Sequence, residues 1–331
     1  MNLRVLRRRF LLSLPIAVAV VVVLLAYADL RDAGDALRHF RWSYLPLIVG
    51  LTLWNYLLRF GKWHFYLRQI GVRDLDVRTS ALLFFSGLSM VLTPGKLGEW
   101  LKCYLLQVRT GMPFARSAPV IIAERLSDGL ALVALALGGV LLLGQGWELV
   151  LIVALGPVAM VTLTRWPGAY RFLLALASRL PFLVVARAVE QAVGSAAILF
   201  TLRNLALAVA IGFLSWGGEC LAFALVLAGL GAPLTPTLLL QAAFILPVST
   251  LAGSLLLLPG GLGVAEGGIT GLTQVLVGFD RGPAAIAALL IRLGTLWFGV
   301  SVGLVAMIIT TRWAVRPEHA PGDDRSPVSV T

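Results

Sequence analysis

Apolar residues occur along the chain in long blocks, six of them long enough for a helix that crosses a bilayer, which needs about 20 residues. The blocks are Phe10 to Ala28, Tyr44 to Phe65, Ser117 to Gly144, Glu148 to Thr164, Asn204 to Leu230 and Pro283 to Thr310. The pattern predicts an all-α polytopic membrane protein with about six transmembrane helices.

Two further apolar blocks are interrupted by a turn of proline and glycine. The first, Ser80 to Leu92, stops at Thr93-Pro94-Gly95 and resumes as Leu97 to Val108; the second, Thr237 to Leu258, stops at Pro259-Gly260-Gly261 and resumes as Gly263 to Gly278. Proline and glycine together end a helix and open a non-helical turn. Because lipid cannot satisfy the free backbone groups of such a turn, we expect two re-entrant helical hairpins with turns that are buried in protein or line a wet cavity.

The composition of the chain indicates a membrane protein, and the distribution of its charges indicates its topology in the membrane. The chain has 331 residues, of which 59% are hydrophobic and 13% charged, with a formal net charge of +11. Soluble domains carry about 25% charged residues, so a soluble protein is excluded. If the hairpins enter from opposite sides, most basic residues fall on one side, as the positive-inside rule requires. We therefore expect an integral membrane protein with both termini in the cytoplasm.

The basic residues lie in short connections between the apolar blocks. The cytoplasmic groups are Arg4 to Arg9, Lys62 to Arg78, Lys102 to Arg116, Arg165 to Arg203 and Arg312 to Arg325. This placement assigns them to membrane topology, and no nucleic acid partner is expected. Cys103 and Cys220 lack CxxC spacing and a nearby histidine, so we interpret them as small residues of the interior.

One integral-membrane domain is predicted over residues 1–316, with a disordered cytoplasmic tail over 317–331. Residues 10–28 end in a sequence that resembles a signal-peptidase site, but their length favours an uncleaved anchor over cleavage. Residues 166–203 alternate apolar residues with arginines. This is typical of interfacial cytoplasmic helices, and a linker packed between two halves fits the same pattern.

Several motifs recur in the same order in the two halves of the chain. The pattern P-G-x-L-G occurs at residues 94 and 259, Arg-Leu at 125 and 292, and tryptophan at 54 and 216. We assign repeat 1 to about residues 44–144 and repeat 2 to about 204–310. Since the two hairpins enter from opposite sides, the prediction is an inverted repeat, an architecture that many transporters use.

The two turns suggest an anion site. Each begins a half-helix near the membrane midplane, and helix N-termini favour phosphate or carboxylate groups. Arg125 and Arg292 lie about 12 to 14 Å deep at ~1.5 Å per residue, where charges are costly and face a cavity or a partner. The candidate substrate-binding residues are Pro94, Gly95, Lys96, Gly98, Glu99, Glu124, Arg125, Asp128, Pro259, Gly260, Gly261, Gly263, Glu266 and Arg292.

The same charges also fit a structural role as ion pairs and helix caps. Arg125 and Asp128 are three residues apart on one helix, and Arg59 and Glu219 occupy comparable repeat positions with opposite charges. His39, His64 and His319 are isolated, and no HExxH, GxSxG, Walker or Rossmann pattern is present. We predict no catalytic residue, metal ligand or cofactor.

Three stretches carry a family resemblance: Thr93 to Glu99, Glu124 to Asp128 and Leu258 to Glu266. They resemble the lysylphosphatidylglycerol synthase transmembrane (flippase-like) family, and the resemblance extends from about Arg4 to Thr310. It implies movement of a modified lipid between leaflets, with anionic, aminoacylated, hopanoid or polyprenyl-linked lipids as partners and with a lipid-modifying enzyme as a further candidate. No soluble domain follows Thr310, so aminoacyl transfer from tRNA is not implied.

We therefore expect a lipid translocator that binds a polar or phosphate-bearing headgroup between the two half-helix N-termini. One alternative is an integral-membrane transferase acting on a polyprenyl- or phospholipid-linked substrate, with Glu99, Asp128 or Glu266 as base. The other alternative is a scaffold that transports nothing and holds a lipid-modifying enzyme.

Overall fold

The computed structural model describes residues 3–93, 97–144, 194–256 and 258–314, together with scattered positions between 147 and 192. Most of these residues lie in helices, and none of them forms a strand. The helices are α1 (Leu3–Ala28), α2 (Leu30–His39), α3 (Leu45–Gln69), α4 (Val77–Leu88), α5 (Leu97–Thr110), α6 (Phe114–Leu143), α7 (Leu202–Gly229), α8 (Pro236–Leu255), α9 (Val264–Val277), α10 (Arg281–Arg292) and α11 (Phe298–Ala314). A π-helical turn, Leu293–Trp297, joins α10 to α11.

The predicted all-helical class is confirmed, and most helices coincide with the apolar blocks. The α1, α3, α6 and α7 helices overlap four predicted spans, and α10 with α11 overlaps a fifth. The α4–α5 and α8–α9 pairs overlap the two broken blocks. The predicted span at Glu148 to Thr164, most of residues 166–203, the turn residues 94–96 and the tail 317–331 lie outside the described residues.

Helix α2 was not predicted, because half of its ten residues are charged or polar and it contains no long apolar block. The Asp29 carboxylate caps it by accepting a hydrogen bond from the Arg31 amide at 2.9 Å. The helix packs against α10, where Gly282 lies against the backbone of Asp32. Its fold therefore depends on a tertiary contact that an apolar pattern does not register.

Among the described residues, three helical runs are long and apolar enough to cross a membrane: Leu202–Gly229, Pro236–Leu255 and Arg281–Arg312. The second is 20 residues long and was predicted to be the first leg of a re-entrant hairpin. Its length also suits a crossing helix, so the exact number of spans remains a prediction.

Helices α8 and α9 form an antiparallel hairpin around the turn Pro259–Gly261. Near the turn, Gly268 lies directly against Ser249. At the open end, the Gln241 side chain donates a hydrogen bond to the Leu276 carbonyl at 2.5 Å. The α4 and α5 helices, which follow one another in the first half, also pack together.

Helices α3 and α7 cross in antiparallel directions and exchange hydrogen bonds near their middle. The Asn55 side chain donates to the Ser215 carbonyl at 3.2 Å, and the Ser215 hydroxyl donates to the Asn55 carbonyl at 3.4 Å. Farther along, the Arg41 amide donates to the Gly229 carbonyl at 3.0 Å. Each helix thus offers the other a side chain and a carbonyl at the same crossing point.

Two further contacts between the two halves are also reciprocal. Helix α4 of the first half packs on α11 of the second, and α8 of the second half packs on α6 of the first. Both contacts are close at a glycine. A Cβ on Gly303 would overlap the backbone of Ser89, and a Cβ on Gly139 would lie 2.7 Å from the Phe244 Cβ.

Candidate functional site

A cavity of about 150 Å³ lies between the two halves, against the α8–α9 turn. Its wall includes apolar side chains such as Leu246 and Val300, but the charged residues that line it come from five helices. In the described part of the chain they are Arg59, Glu99, Lys102, Arg125, Glu219 and Arg292. Four cations therefore face two carboxylates, and the lining has an excess of positive charge.

One carboxylate of α6, that of Asp128, serves three cations. The fully buried Lys62 ammonium donates to one Asp128 oxygen and to the Ser127 hydroxyl, the latter at 3.0 Å. The other Asp128 oxygen lies 3.6 Å from the Arg59 guanidinium and 3.7 Å from that of Arg125, so the predicted contact of Arg125 with Asp128 is confirmed. The Asp128 carboxylate thus lies among three cations, which makes it poorly placed to act as a base.

A second buried pair joins α5 to α6. The Lys102 ammonium donates to the Glu124 carboxylate at 2.7 Å. The same ammonium lies 4.6 Å from the Trp63 ring centroid and 4.9 Å from that of Phe84, within the range of cation–π attraction. Lys102 thereby carries a compensated charge to the edge of the cavity.

The two halves contain the same ion pair at equivalent positions. Arg125 Nε lies 2.9 Å from Glu99, and Arg292 Nε lies 2.6 Å from Glu266. Each pair joins residues 26 positions apart, and each glutamate lies in the first turn of the helix that follows a Pro-Gly motif. The recurring Arg-Leu motif therefore supplies the same contact twice.

In the second half, this ion pair also closes the turn. Arg292 Nη2 donates to the Gly260 carbonyl at 2.5 Å, and the Glu266 carboxylate accepts from the Gly263 amide at 2.7 Å. The amide of Gly263, the N-cap residue before α9, is therefore already bonded, whereas the sequence led us to expect free N–H groups at this helix start. Gly260, Gly261 and Gly263 have positive φ angles of 59°, 70° and 86°, which favour glycine at all three positions.

Glu219 lies in the same cavity but differs from the other buried carboxylates. It is 5% exposed, and the described residues place no cation within 4 Å of its carboxylate and no hydrogen bond on it. The expected pair with Arg59 does not form. Instead, the Arg59 guanidinium lies over the Trp216 ring, 5.7 Å from its centroid, and reaches toward Asp128.

The structure brings most of the predicted site residues together. Glu99, Arg125, Gly260, Gly261 and Arg292 line the cavity. Glu124, Asp128, Pro259, Gly263 and Glu266 lie in the surrounding ion pairs and the turn. Pro94, Gly95 and Lys96 fall outside the described residues, and so does everything beyond the backbone at Gly98.

Sequence reasoning missed Lys62 and Lys102, which were assigned to the cytoplasmic face. Both are buried, at 0% and 5% exposure. Lys62 follows Arg59 by three residues and Lys102 follows Glu99 by three, so each shares a helix face with a charge already considered. That spacing could have indicated them. Within the described residues, no three His, Cys, Asp or Glu side chains are close enough to hold a metal ion.

Apolar helices packed around a buried, charged cavity define a helical membrane protein. The family model of the lysylphosphatidylglycerol synthase TM region matches residues 11–303 of the 331, and the chain belongs to this family. The resemblance seen in the sequence is thereby confirmed. No curated protein matches the chain. The family relates this integral membrane protein to lipid modification or transport.

Proposed function

We propose that this protein moves a lipid with a phosphate-bearing or otherwise polar headgroup between the two leaflets. The headgroup binds in the cavity, between Arg59, Arg125 and Arg292. The observation that carries the proposal is the positively biased lining of a buried cavity between the two halves. Charges inside a membrane protein are costly and are functional candidates, and guanidinium groups that line a shared cavity favour an anion as its ligand.

The chemistry of the lining suits a phosphate group. A guanidinium is planar and donates paired hydrogen bonds to phosphate oxygens, and three guanidinium groups line this cavity. Lys96, three residues before Glu99 in the sequence, remains a further candidate cation. The apolar part of the wall, which includes Phe84 and Leu88, suits the first carbons of the acyl chains.

The movement that we propose is a rocking of one half against the other. The antiparallel crossing of α3 and α7, the reciprocal α4–α11 and α6–α8 contacts and the repeated Arg–Glu pair all support two inverted repeats, at about residues 44–144 and 204–310. Such repeats can open one central site to each side in turn. The proposal includes two re-entrant hairpins that enter from opposite sides of a bacterial inner membrane, with six spans and cytoplasmic termini.

The geometry favours translocation over the transferase alternative. Glu99 is paired with Arg125, Asp128 faces three cations, and Glu266 caps α9 while it binds Arg292. A general base must be free to take a proton from its substrate. None of these three carboxylates is placed to do so.

Lipid movement can be measured on the purified full chain in phosphatidylcholine vesicles with a trace of fluorescent phosphatidylglycerol. Dithionite bleaches only the outer leaflet, so translocation increases both the rate and the extent of bleaching. We expect Arg125→Ala to slow the process at least tenfold. The control is Arg38→Ala, because Arg38 forms only an exposed ion pair with Asp35 at 3.9 Å.

The headgroup can be varied in the same assay across phosphatidylglycerol, phosphatidic acid, phosphatidylethanolamine and a polyprenyl phosphate. If the protein accelerates the bleaching of no lipid in this panel, translocation is contradicted. If Arg125→Ala leaves the rate unchanged, the headgroup does not bind in this cavity. Size-exclusion profiles establish that each variant is folded before its rate is interpreted.

A further inference from the structure

Glu219 is the exception among the buried carboxylates described in the structure. Its four counterparts each lie within 4 Å of a lysine or arginine side chain. These are Glu99, Glu124, Asp128 and Glu266. Glu219 has no such partner among the described residues, yet it is 5% exposed and lines the cavity. A buried carboxylate without a counter-charge is costly to ionise. Such a residue inside a membrane protein is a candidate for a functional role.

The groups that face Glu219 come from the helices packed around α7. Helix α3 contributes Arg59 and Tyr56, α6 contributes Asp128, and α10 contributes Arg292. Helix α8 has no titratable residue and lines the cavity with Thr250 and Ser254. Two cations are thus near enough to act on Glu219, but Arg59 is drawn toward Asp128 and Arg292 is committed to Glu266 and Gly260.

An anion in this cavity would have to lie close to Glu219. Arg59, Arg292 and Glu219 all line this one cavity, so a phosphate held by the two arginines has the carboxylate as its neighbour. Like charges at short range repel strongly where water is largely excluded. The anion and an ionised Glu219 therefore disfavour each other, whereas a neutral Glu219 accommodates the anion.

We propose that Glu219 takes up one proton when an anionic headgroup binds in the cavity and releases it when the headgroup leaves. This inference rests on the proposed function and adds a proton as a second ligand of the same site. On binding, a proton from water bonds to a carboxylate oxygen, and the resulting hydroxyl can donate a hydrogen bond to a phosphate oxygen. On release that O–H bond breaks, and the proton passes to water on the side to which the site opens as the lipid leaves.

Linkage gives this coupling a direction. If the anion raises the affinity of the site for a proton, the proton raises the affinity for the anion by the same factor. The proton and the anion therefore bind together and leave together. If the cavity opens alternately to the two sides, one proton accompanies each anionic lipid in the same direction. A proton gradient across the membrane can then drive the lipid toward the side of lower proton concentration.

The proton can be counted by calorimetry. Dihexanoyl phosphatidylglycerol, whose phosphodiester does not titrate near neutral pH, is added to the full chain in phosphatidylcholine nanodiscs at one pH in buffers of different ionisation enthalpy. The dependence of the observed heat on buffer enthalpy gives the number of protons taken up. We expect about one for the wild type and none for Glu219→Gln, whose amide resembles the neutral acid.

Two variants serve as controls. Glu148→Gln removes an exposed carboxylate, and we expect it to take up a proton as the wild type does. Glu219→Asp keeps a titratable group at the same position and should retain the uptake, which guards against a general defect of the Gln variant. Over the range in which Glu219 is ionised, wild-type affinity should fall by up to tenfold per pH unit, and that of Glu219→Gln should stay constant.

The outcomes separate this inference from the function on which it rests. Wild-type binding without proton uptake overturns the coupling and leaves lipid binding intact. Uptake that persists in Glu219→Gln assigns the proton to another group and overturns the inference. Loss of binding in Glu219→Gln at every pH overturns it too, because the ionised carboxylate would then be required for binding, for example to accept a hydrogen bond from the glycerol hydroxyls of the headgroup. If the wild type binds none of the lipid, the proposed function and this inference fall together.

Discussion

The two Arg–Glu pairs have the same spacing, but Arg292 Nε donates a hydrogen bond to its glutamate and Arg125 Nε forms only an ion pair, and their surroundings differ. In the second half, the side chains of Arg292 and Glu266 are 14% and 4% exposed, and both also bond to the backbone of the turn. In the first half, the side chains of Arg125 and Glu99 are 27% and 11% exposed. The second pair therefore holds the turn closed, while the first leaves its arginine more accessible to the cavity.

The difference suggests a division of labour between the repeats. Arg125 shares the Asp128 carboxylate with Lys62 and Arg59, so an incoming anion can recruit the guanidinium and leave Asp128 with two cations. Glu99 then loses its described cation, but its side chain is 11% exposed and lines the cavity. Arg292 binds the headgroup less readily, because its departure would leave Glu266 without a described cation and would break the hydrogen bond to the Gly260 carbonyl. We infer that the first half contributes more of the binding and the second more of the framework.

The largest effect is expected from Arg292→Ala. Removing one partner of a buried ion pair costs about 3–5 kcal/mol, and here the α8–α9 turn also loses a hydrogen bond. Arg125→Ala should cost less, roughly 1–2 kcal/mol, because Arg125 is more exposed and Glu99 lies closer to the open cavity. Thermal unfolding followed by tryptophan fluorescence in detergent measures both. Equal losses in the two variants would contradict the division of labour.

A second, smaller effect concerns the reciprocal helix contacts. Gly139→Ala and Gly303→Ala should each cost about 1–3 kcal/mol, because the new methyl group has no space against α8 or α4. Gly138→Ala is the matched control, since nothing lies within 4 Å of a Cβ there. The same unfolding assay applies. A loss in only one of the two glycine variants would show that the interfaces are not equivalent.

Most of the fold could be predicted from the sequence, because each lipid-compatible helix requires its own apolar block. The predicted start at Tyr44 and end at Leu230 lie one residue from the observed bounds of α3 and α7. Helix α2 was not predicted, because this short helix has no apolar block. It is stabilised instead by its N-cap and by its contact with α10.

The charges of the site could be predicted individually, but their pairing could not. A lysine near the end of an apolar block can extend to the membrane surface or turn inward, and only the packing decides. Lys62 turns inward because Asp128 of α6 is within reach. The same carboxylate draws Arg59 away from Glu219, which lies at the corresponding repeat position. Such choices depend on how helices distant in sequence approach each other.

The two tryptophans of the repeat, Trp54 and Trp216, provide a third comparison. Trp216 is buried under the Arg59 guanidinium, whereas Trp54 is 49% exposed. A cation–π contact of this kind contributes about 0.5–2 kcal/mol. Trp216→Leu should therefore slow translocation of fluorescent phosphatidylglycerol by roughly three- to tenfold, and Trp54→Leu should leave it unchanged. Similar rates in the two variants would remove Trp216 from the site.

The smallest effect is expected at the crossing of α3 and α7. Asn55→Ala removes one of the two exchanged hydrogen bonds and Ser215→Ala removes the other, and each should cost about 1 kcal/mol. If the crossing is the axis about which the halves rock, both variants should also change the translocation rate in the same direction and by a similar factor. Thr52→Ala is the control, because the Thr52 hydroxyl bonds only within its own helix, to the Ile48 carbonyl at 3.1 Å. Opposite or unequal changes at Asn55 and Ser215 would contradict a shared axis, since reciprocal bonds on an axis must respond alike.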